Sequence, residues 1–273
     1  MMIDKNNIID AIKELGIINK SVCIHSSLKS FGHVEGGAET IIQAFLDTDC
    51  TILVPAFADM FEVFPPTDMR PKRNGAGDYS YFENKEYRIS SIFTTDCNDI
   101  TKEEMGAIPQ AVINMPTRKR GNNPLNSFVA IGKNADNLVK NQSIENVYAP
   151  LQELCNQNGV ILLMGVTLDS ATIIHYSEQV AGRKPFIRWA NNLYGKTSFV
   201  SAGGCSDGFN NFSDLLKPIE KVVTVGESIW RYFPAREMVD ICKEAIITVP
   251  NITHCQSPYC DRCNDAMLGG PIW

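Results

Sequence analysis

Short apolar runs that alternate with amphipathic segments constrain this fold more than any other feature of the chain. Val22–Ile24 and Thr51–Pro55 have the length and composition of buried strands, and Ala38–Leu46 between them has the spacing of an amphipathic helix. A stronger buried strand is predicted at Gly159–Gly165, and a helix is expected to begin near Thr172. Strands that alternate with helices favour a layered α/β fold. The loop-rich last third indicates a mixed rather than purely parallel central sheet.

The other predicted elements are shorter or less regular. They are a first helix from Ile8 to Leu15 that Gly16 ends, helices at about 109–114 and 235–246, a strand at 127–131 and a hairpin region at about 199–212. Residues 58–100 are rich in Pro, Asp, Asn and aromatic side chains without a sustained period, which predicts a long ordered loop or lid. We expect one domain over 1–273, with a cysteine-rich C-terminal segment at about 250–273.

Composition and charge exclude several classes of partner. The 273 residues are 44% hydrophobic and 21% charged, which is enough to bury a full globular core. The formal net charge of -6 disfavours nucleic acid and anionic membranes, because each would select a clustered basic surface. The N-terminal segment has no export signal, and the apolar runs are too short to cross a bilayer. We expect a cytoplasmic protein with a small-molecule partner, and a homo-oligomer is compatible with this sequence.

The first candidate catalytic pair follows the predicted strand at 159–165. His175 and Glu178 are three residues apart on a predicted helix, so their side chains lie on one face. A carboxylate beside an imidazole favours its protonated form and holds its tautomer, which a general base for an incoming amine requires. The alternative is an ordinary surface or packing pair, because His-x-x-Glu is a common spacing.

A second cluster runs from His25 to Gly37, again between a predicted strand end and a helix. Its hydroxyls, glycines and backbone N–H groups suit an anionic, phosphate-bearing ligand. The glycine spacing fits neither a dinucleotide fingerprint nor a P-loop, and a turn with a helix cap is the alternative.

A third cluster spans residues 105–128 and carries the basic segment Arg118–Arg120 before a predicted strand. A guanidinium group can bind phosphate through two parallel hydrogen bonds, whereas lysine acts as a point charge. A solvated basic turn is the alternative.

In this order the three clusters resemble successive motif blocks of the aminoglycoside 3-N-acetyltransferase family. The resemblance covers roughly residues 20–180 and extends more loosely to 245. The blocks read CIHSSLKSFGHVEGGAETIIQAFLD, TILVPAF, MGAIPQAV, NPLNSFVAIGKNA and ILLMGVTLDSATIIHYSE. The resemblance implies an α/β/α sandwich with a mixed sheet, distinct from the GNAT fold. It also implies acetyl-CoA as the donor and an amine as the acceptor.

The resemblance assigns roles to individual residues as well. His175 would be the general base, and Glu178 would be its orienting carboxylate. The CoA channel would be formed by His25, Ser26, Ser27, Leu28, Phe31, Gly32, Val34 and Gly37, with further contacts from Arg120 and Ser127.

Direct transfer follows from these roles, because a deprotonated amine would attack the thioester while donors near the channel stabilise the oxyanion. Cys23 lies in a predicted buried strand, which argues against a nucleophilic cysteine. One position departs from the family pattern, since Asn123 stands where a histidine precedes the proline. Asparagine hydrogen-bonds but does not shuttle a proton. The acid–base chemistry is therefore expected to rest on His175 alone.

Five of the nine cysteines lie after residue 200, and without an export signal they are expected to be reduced thiols or metal ligands. Cys255, Cys260 and Cys263 have the spacing of a tetrahedral zinc site. Cys205 is the preferred fourth ligand over His254, because adjacent residues seldom both reach one ion. Such a site would be structural, since it leaves no position open for substrate. The alternative is a reduced cysteine-rich tail packed on the body.

The leading prediction is an acetyl-CoA-dependent N-acetyltransferase that acts on an amine of an aminoglycoside or another amino sugar. A polycationic acceptor would require an acidic pocket, which Asp59, Glu62, Asp68 and Asp78 in the long loop would supply. Solvated loop carboxylates are the alternative. The rival prediction is a non-catalytic CoA-binding or zinc-stabilised interaction protein that kept the fold.

Overall fold

A seven-stranded sheet lies at the centre of the protein in its computed structural model, which describes residues 2–83, 87 and 91–273. The strands are β1 (Met2–Ile3), β2 (Ser21–Ser26), β3 (His33–Val34), β4 (Thr51–Pro55), β5 (Lys119–Arg120), β6 (Phe128–Ile131), β7 (Val160–Met164), β8 (Phe186–Asn191), β9 (Thr197–Ala202), β10 (Lys221–Val225) and β11 (Ser228–Pro234). The helices are α1 (Lys5–Leu15), α2 (Gly37–Asp47), α3 (Ser80–Glu83), α4 (Lys102–Met105), α5 (Ala107–Ile113), α6 (Ala135–Val139), α7 (Ala149–Asn156), α8 (Ile173–Val180), α9 (Ser213–Leu216), α10 (Ala235–Thr248) and α11 (Asp261–Met267).

The central sheet has the strand order β10-β11-β7-β2-β4-β6-β5. Its middle strands β7, β2 and β4 run parallel, whereas the other neighbouring pairs are antiparallel. The predicted mixed sheet is therefore confirmed. Because β7, β2 and β4 are parallel, their carboxyl ends meet at one edge, and open α/β sheets place their sites at such an edge.

Alternating side chains of the middle strands fill two cores, one on each face of the sheet. Val22 and Ile24 belong to the core that α1, α2 and α5 cover, whereas Cys23 between them belongs to the core that α7, α8 and α10 cover. Leu162 and Leu163 of β7 divide between the two cores in the same way. Helices on both faces of a mixed sheet form an α/β/α sandwich, so the predicted fold class is confirmed.

Helix α1 shows why the local sequence prediction succeeded. Asp4 accepts a hydrogen bond from the Asn7 backbone N–H at 3.0 Å, and the Asn7 side chain accepts one from the Asp4 backbone N–H at 3.0 Å. This reciprocal cap begins the helix, and Gly16 at φ 71° ends it. In the part of the chain that the structure describes, no helix is both long and apolar enough to cross a membrane.

The hairpin expected at about 199–212 was wrong in its position. β8 and β9 pair antiparallel, so the hairpin lies at 186–202. Sequence reasoning also missed the hairpin of β10 and β11, whose solvent side mixes polar residues with the exposed Val222 and Ile229. Its turn contains Gly226 at φ 61°, where a Cβ would lie 2.2 Å from Ile3 Cδ1 and 2.6 Å from the Phe31 carbonyl oxygen, so a larger residue does not fit without displacing β1 or the backbone at Phe31.

The long loop at 58–100 packs on the β8–β9 hairpin, although its residues 84–86 and 88–90 lie outside the described ones. The rings of Tyr79 and Phe82 lie 6.0 and 5.7 Å from the ring of Trp189, and Phe61 contacts Phe93 at 5.4 Å. Aromatic burial therefore orders the described part of the loop, as expected. A lid function stays a prediction.

Candidate active site

A cavity of about 760 Å³ opens at the carboxyl edge of the parallel strands. Ile24, His25 and Ser26 at the end of β2 line it, together with Pro55 at the end of β4 and Val166 just after β7. Further walls come from the long loop, the segment after β9 and the C-terminal segment; these include Asp59, Glu62, Asp78, Phe82, Gly203, Gly204, Ser206, Tyr259, Cys260, Asp261 and Arg262. The cavity thus lies at the sheet edge where α/β folds place their sites.

His175 reaches this cavity from α8, which begins just after β7 and a short 3₁₀ turn. Its Nδ1 lies 2.8 Å from Glu178 Oε2, and the two side chains are only 10% and 12% exposed. An ionised carboxylate only accepts hydrogen bonds, so in the neutral ring Nδ1 carries the proton and Nε2 has the lone pair. The predicted pair therefore exists as a buried contact with the tautomer that a base requires. A surface pair is excluded by this burial.

Arg183 is a third member of this group, which sequence reasoning missed. Its Nη1 lies 2.6 Å from Glu178 Oε1 and donates to Thr253 Oγ1 at 2.7 Å, while Nη2 donates to the carbonyl of Pro250. Burial opposes ionisation of Glu178, but the hydrogen bonds and charges of His175 and Arg183 outweigh it and lower the pKa of the carboxyl. Glu178 is therefore an anion held between two donors.

Aromatic rings and a glycine frame the imidazole of His175. Tyr148 stacks alongside it at 6.4 Å between ring centroids, and Phe209 meets it edge-on at 4.6 Å. A Cβ placed on Gly203 would lie 3.5 Å from Nε2, so the absent side chain leaves space beside the basic nitrogen. Burial and the nearby charge of Glu178 raise the pKa of Tyr148, whose hydroxyl therefore stays protonated.

The predicted CoA-binding block divides into two parts. His25 and Ser26 line the cavity, whereas the other members do not form part of its lining. Phe31 is a core residue that meets Trp230 edge-on at 5.8 Å, and Val34 belongs to the same core. The remaining members have local backbone positions: Ser27 caps the short 3₁₀ turn that contains Leu28, Gly32 ends that turn, and Gly37 begins α2.

His25 lies beside Cys23, with 3.7 Å between Nε2 and Sγ. Burial lowers the pKa of His25 to about 4, so the imidazole is neutral and a weak base. Burial, and to a smaller extent electrostatic interaction with the nearby Cys155, raise the pKa of the Cys23 thiol, which keeps it protonated. These shifts support the prediction that Cys23 is no nucleophile, because a thiolate is the reactive form.

Arg120 and Ser127 lie inside the protein rather than at the cavity. Arg120 is 5% exposed, and its guanidinium donates to Ser127 Oγ, to the Cys97 thiol and to three backbone carbonyls, those of Ala56, Cys97 and Asp99. Burial lowers the pKa of Arg120 to about 10, which still leaves it charged at neutral pH. The solvated-turn interpretation is therefore wrong for Arg120, because Lys119–Arg120 is a short edge strand. Arg120 thus braces the loop at Cys97 and Asp99, and Ser127 Oγ donates to the Ala56 carbonyl at 2.8 Å.

Asn123 is fully buried and has a structural role. Its Nδ2 donates to the carbonyls of Ser143 and Ser201 at 3.2 Å, and its Oδ1 accepts from the backbone N–H groups of Leu125 and Asn126. These four bonds shape the turn that presents Asn126 to the cavity, where Asn126 Oδ1 accepts from the Gly203 N–H at 3.2 Å. The asparagine thus positions a cavity wall without acid–base chemistry.

The cavity wall is acidic. Its carboxylates are Asp59, Glu62, Asp78, Glu104, Asp169 and Asp261, and its guanidinium groups are those of Arg188 and Arg262. Three of the four carboxylates expected to form an acidic pocket are therefore at the cavity. Asp68 is exposed and is not among the lining residues. A wall with this excess of negative charge suits a cationic ligand.

Gly204–Gly208 has the letters of the Gly-x-Ser-x-Gly elbow of hydrolases but not its structure. β9 ends at Ala202 and the segment is a loop, whereas an elbow joins a strand directly to a helix. Gly208 is required for another reason, because a Cβ there would lie 2.4 Å from the carbonyl oxygen of Thr253.

The four cysteines predicted to bind zinc converge in the structure. Their Sγ atoms all lie within 4.8 Å of one another; the residues are Cys205, Cys255, Cys260 and Cys263. His254 is engaged elsewhere, with Nε2 3.1 Å from Asn264 Oδ1 and Nδ1 accepting from the Gln256 N–H at 3.0 Å. The preference for Cys205 over His254 thus agrees with the geometry.

Known proteins resemble this chain along most of its length. The profile of the family described as aminoglycoside 3-N-acetyltransferase matches residues 23–246. The SPbeta prophage-derived aminoglycoside N(3')-acetyltransferase-like protein YokD of Bacillus subtilis (strain 168) is 26% identical over 265 residues, which cover 89% of this chain and 92% of that protein. Aminoglycoside N(3)-acetyltransferase III of Salmonella sp is 29% identical over 187 residues, but these cover 67% of this chain and 62% of that protein.

The fold is shared with solved structures as well. The structure described as AAC-IIIb binary with CoASH superposes with a TM-score of 0.71 at 18% identity, covering 91% of this chain and 97% of that one. A mixed α/β/α sandwich with a histidine–carboxylate pair at the sheet edge, matched by this profile, defines an acyltransferase. The chain belongs to the aminoglycoside 3-N-acetyltransferase family. The predicted family and enzyme class are thereby confirmed.

Proposed function

We propose that this enzyme transfers the acetyl group of acetyl-CoA directly to an amine of an aminoglycoside or a related amino sugar. The observation that carries the proposal is the hydrogen-bonded series His175–Glu178–Arg183 at an acidic cavity. The names of the relatives and the CoASH complex of a neighbour with the same fold support the donor and the acceptor class.

His175 would act as the general base. Aminoglycoside amines are largely protonated in neutral water, so the attacking amine must first lose one proton to solvent. As the amine nitrogen bonds to the thioester carbonyl carbon, its excess proton passes to Nε2 of His175. Glu178 stabilises the resulting imidazolium through Nδ1, because a carboxylate 2.8 Å away favours the charged ring. The C–S bond then breaks, CoA leaves as a thiolate, and the proton on Nε2 is available to it.

Donors around His175 would stabilise the negative charge that develops on the carbonyl oxygen. The Tyr148 hydroxyl is a candidate, because it lines the cavity beside the imidazole and its raised pKa keeps the proton in place. The acidic wall would bind the remaining ammonium groups of a polycationic acceptor, and the cavity volume of about 760 Å³ accommodates a drug-sized ligand.

The experiment is an acetylation assay with purified protein, acetyl-CoA, a thiol reagent and a panel of amines. The panel contains several aminoglycosides and amino-sugar nucleotides, and a neutral hexose without an amine is the control. We expect CoA thiol release that depends on the amine, with mass spectrometry showing one added acetyl group on the acceptor. If none of the amines in the panel causes thiol release, the result would contradict an enzymatic function and favour the non-catalytic CoA-binding protein.

A further inference from the structure

We propose that Cys205, Cys255, Cys260 and Cys263 bind one zinc ion. This ion would fix one wall of the cavity that His175 lines. The four residues come from two separate parts of the chain, the loop after β9 and the C-terminal segment before and within α11. The inference goes beyond acetyl transfer, because it concerns an ion that takes no part in the chemistry.

The sulfur positions fit a tetrahedral ion. Zn–S bonds of about 2.3 Å give a sulfur tetrahedron with edges of about 3.8 Å. The four Sγ atoms lie within 4.8 Å of one another, so movements of less than about 1 Å would close the coordination sphere. Disulfides would join the sulfurs only in pairs, whereas four thiols converging on one point is the arrangement that a zinc tetrathiolate requires.

Contacts outside the thiols hold the two segments together. A Cβ on Gly208 would lie 2.4 to 2.5 Å from backbone atoms of Thr253 and His254, so the loop after Cys205 passes directly against the chain before Cys255. Asn211 Nδ2 also donates to the carbonyl of Ile252 at 2.8 Å. Packing between the two segments therefore places the four cysteines close together.

The ligand set is closed. Cys205 and Cys263 are 8% and 5% exposed, and the other two cysteines are half-buried. With four thiolates bound, zinc has no position left for water or substrate, so its role is structural. A reduced cysteine-rich tail without metal would place no constraint on all four sulfurs at once.

The position of the cluster gives the ion a consequence for the active site. Cys205 is flanked by Gly204 and Ser206, which line the cavity, and Cys260 lines it itself. A Cβ on Gly203, two residues before Cys205, would lie 3.4 Å from the His175 ring. Zinc would thus hold both the glycine wall beside the base and the acidic segment at Asp261.

The test measures metal content without reference to activity. Protein produced with zinc in the medium and purified under reducing conditions without chelator is analysed by elemental mass spectrometry for zinc and iron. We expect one zinc per chain in the unaltered protein and in Cys97→Ser, a half-buried thiol outside the cluster. We expect near-complete loss of zinc in Cys255→Ser and Cys263→Ser. Equal zinc in all variants, iron in place of zinc, or no metal in the unaltered protein would overturn the proposal.

Cobalt substitution in the unaltered protein gives a second measurement, which does not depend on whether the cysteine variants fold. Replacing the metal by Co(II) should give the visible absorption and sulfur-to-cobalt charge-transfer band of a tetrahedral tetrathiolate. Octahedral cobalt spectra, or disulfides in the freshly purified protein, would contradict the site. A zinc-loaded protein that fails to acetylate any amine would refute the proposed function and leave this metal site standing.

Discussion

Replacing Glu178 by glutamine tests the proposed general base His175 through the carboxylate that would orient it. The two carboxylate oxygens are used separately, Oε2 by His175 Nδ1 at 2.8 Å and Oε1 by Arg183 Nη1 at 2.6 Å. Glutamine has nearly the same shape but only one oxygen. If that oxygen faces Arg183, the amide N–H faces Nδ1 and moves the ring proton to Nε2. If it faces His175, the amide N–H opposes the Arg183 N–H, so the first arrangement is preferred.

The expected decrease in kcat/KM of Glu178→Gln has two contributions. Removing the charge that stabilises the imidazolium costs about 2 kcal/mol, the value of a hydrogen bond to a charged group. Restoring the reactive tautomer breaks the new amide bond and costs about 1 kcal/mol more. Together these give about 3 kcal/mol, or a fall in kcat/KM on the order of 10²-fold. Glu178→Ala removes the charge without imposing a tautomer, so it should retain more activity than the isosteric Glu178→Gln.

The assay is thiol release at saturating acetyl-CoA with varied aminoglycoside, and CoA affinity is measured by calorimetry alongside it. CoA affinity should stay close to that of the unaltered protein, because Glu178 contacts the base and its arginine. Circular dichroism and thermal melting establish that both variants fold. A kcat/KM of Glu178→Gln within about threefold of the unaltered enzyme, or above the kcat/KM of Glu178→Ala, would contradict this role of Glu178.

Three further predictions concern other parts of the structure. Arg120→Lys should destabilise the protein by about 3 kcal/mol in urea unfolding, because lysine leaves buried carbonyls unpaired, while acetyl-CoA affinity stays unchanged. His25→Gln should flatten the pH dependence of stability. His25 has an ordinary pKa of 6.5 and a folded pKa of about 4, so the unfolded chain binds its proton first and stability falls by about 3 kcal/mol as pH drops from 6.5 to 4. Asp78→Asn should raise the KM of a polycationic acceptor about two- to fivefold at low salt, and less at high salt, whereas Asp68→Asn should not.

Each of these predictions has a result that contradicts it. A lower acetyl-CoA affinity with unchanged stability in Arg120→Lys would indicate that Arg120 contributes to binding of the acetyl donor. An equal loss of stability at pH 4.5 in His25→Gln and the unaltered protein would exclude His25 as the cause. Equal effects of Asp78→Asn and Asp68→Asn on KM would show that the acidic wall does not select the acceptor.

The sequence predicted the layers well because their cause is local. Alternating apolar residues in Val22–Ile24 divide between two cores, and the capping pair of Asp4 and Asn7 begins α1. The β10–β11 hairpin escaped prediction because Val222 and Ile229 lie exposed on its solvent face and break the alternation of apolar and polar residues that marks a strand.

The candidate site shows the same division between local and distant causes. His175 and Glu178 were predictable from helical spacing, since an i, i+3 contact is decided within one turn. Arg183 was not, because it lies beyond the end of α8 and reaches back to Glu178 through tertiary packing. The sequence signal for this contact was the position of Arg183, a cationic residue five residues after Glu178.

Local pattern also failed to separate cavity residues from core residues. Phe31 shares a motif block with His25 but packs against Trp230, and Arg120 has the composition of a solvated turn but is buried among carbonyls. Which way a side chain faces depends on neighbours distant in sequence. The cysteine spacing, by contrast, indicated a cluster whose fourth member, Cys205, comes from a loop about 50 residues upstream.

The most direct test of the account is the rate of aminoglycoside acetylation in His175→Gln, measured under single-turnover conditions with acetyl-CoA affinity measured in parallel. If Nε2 of His175 takes the amine proton as proposed, the rate should fall by about 10²- to 10⁴-fold while acetyl-CoA affinity changes by less than about threefold. An acetylation rate within about threefold of the unaltered enzyme would contradict the assignment of His175 as the base.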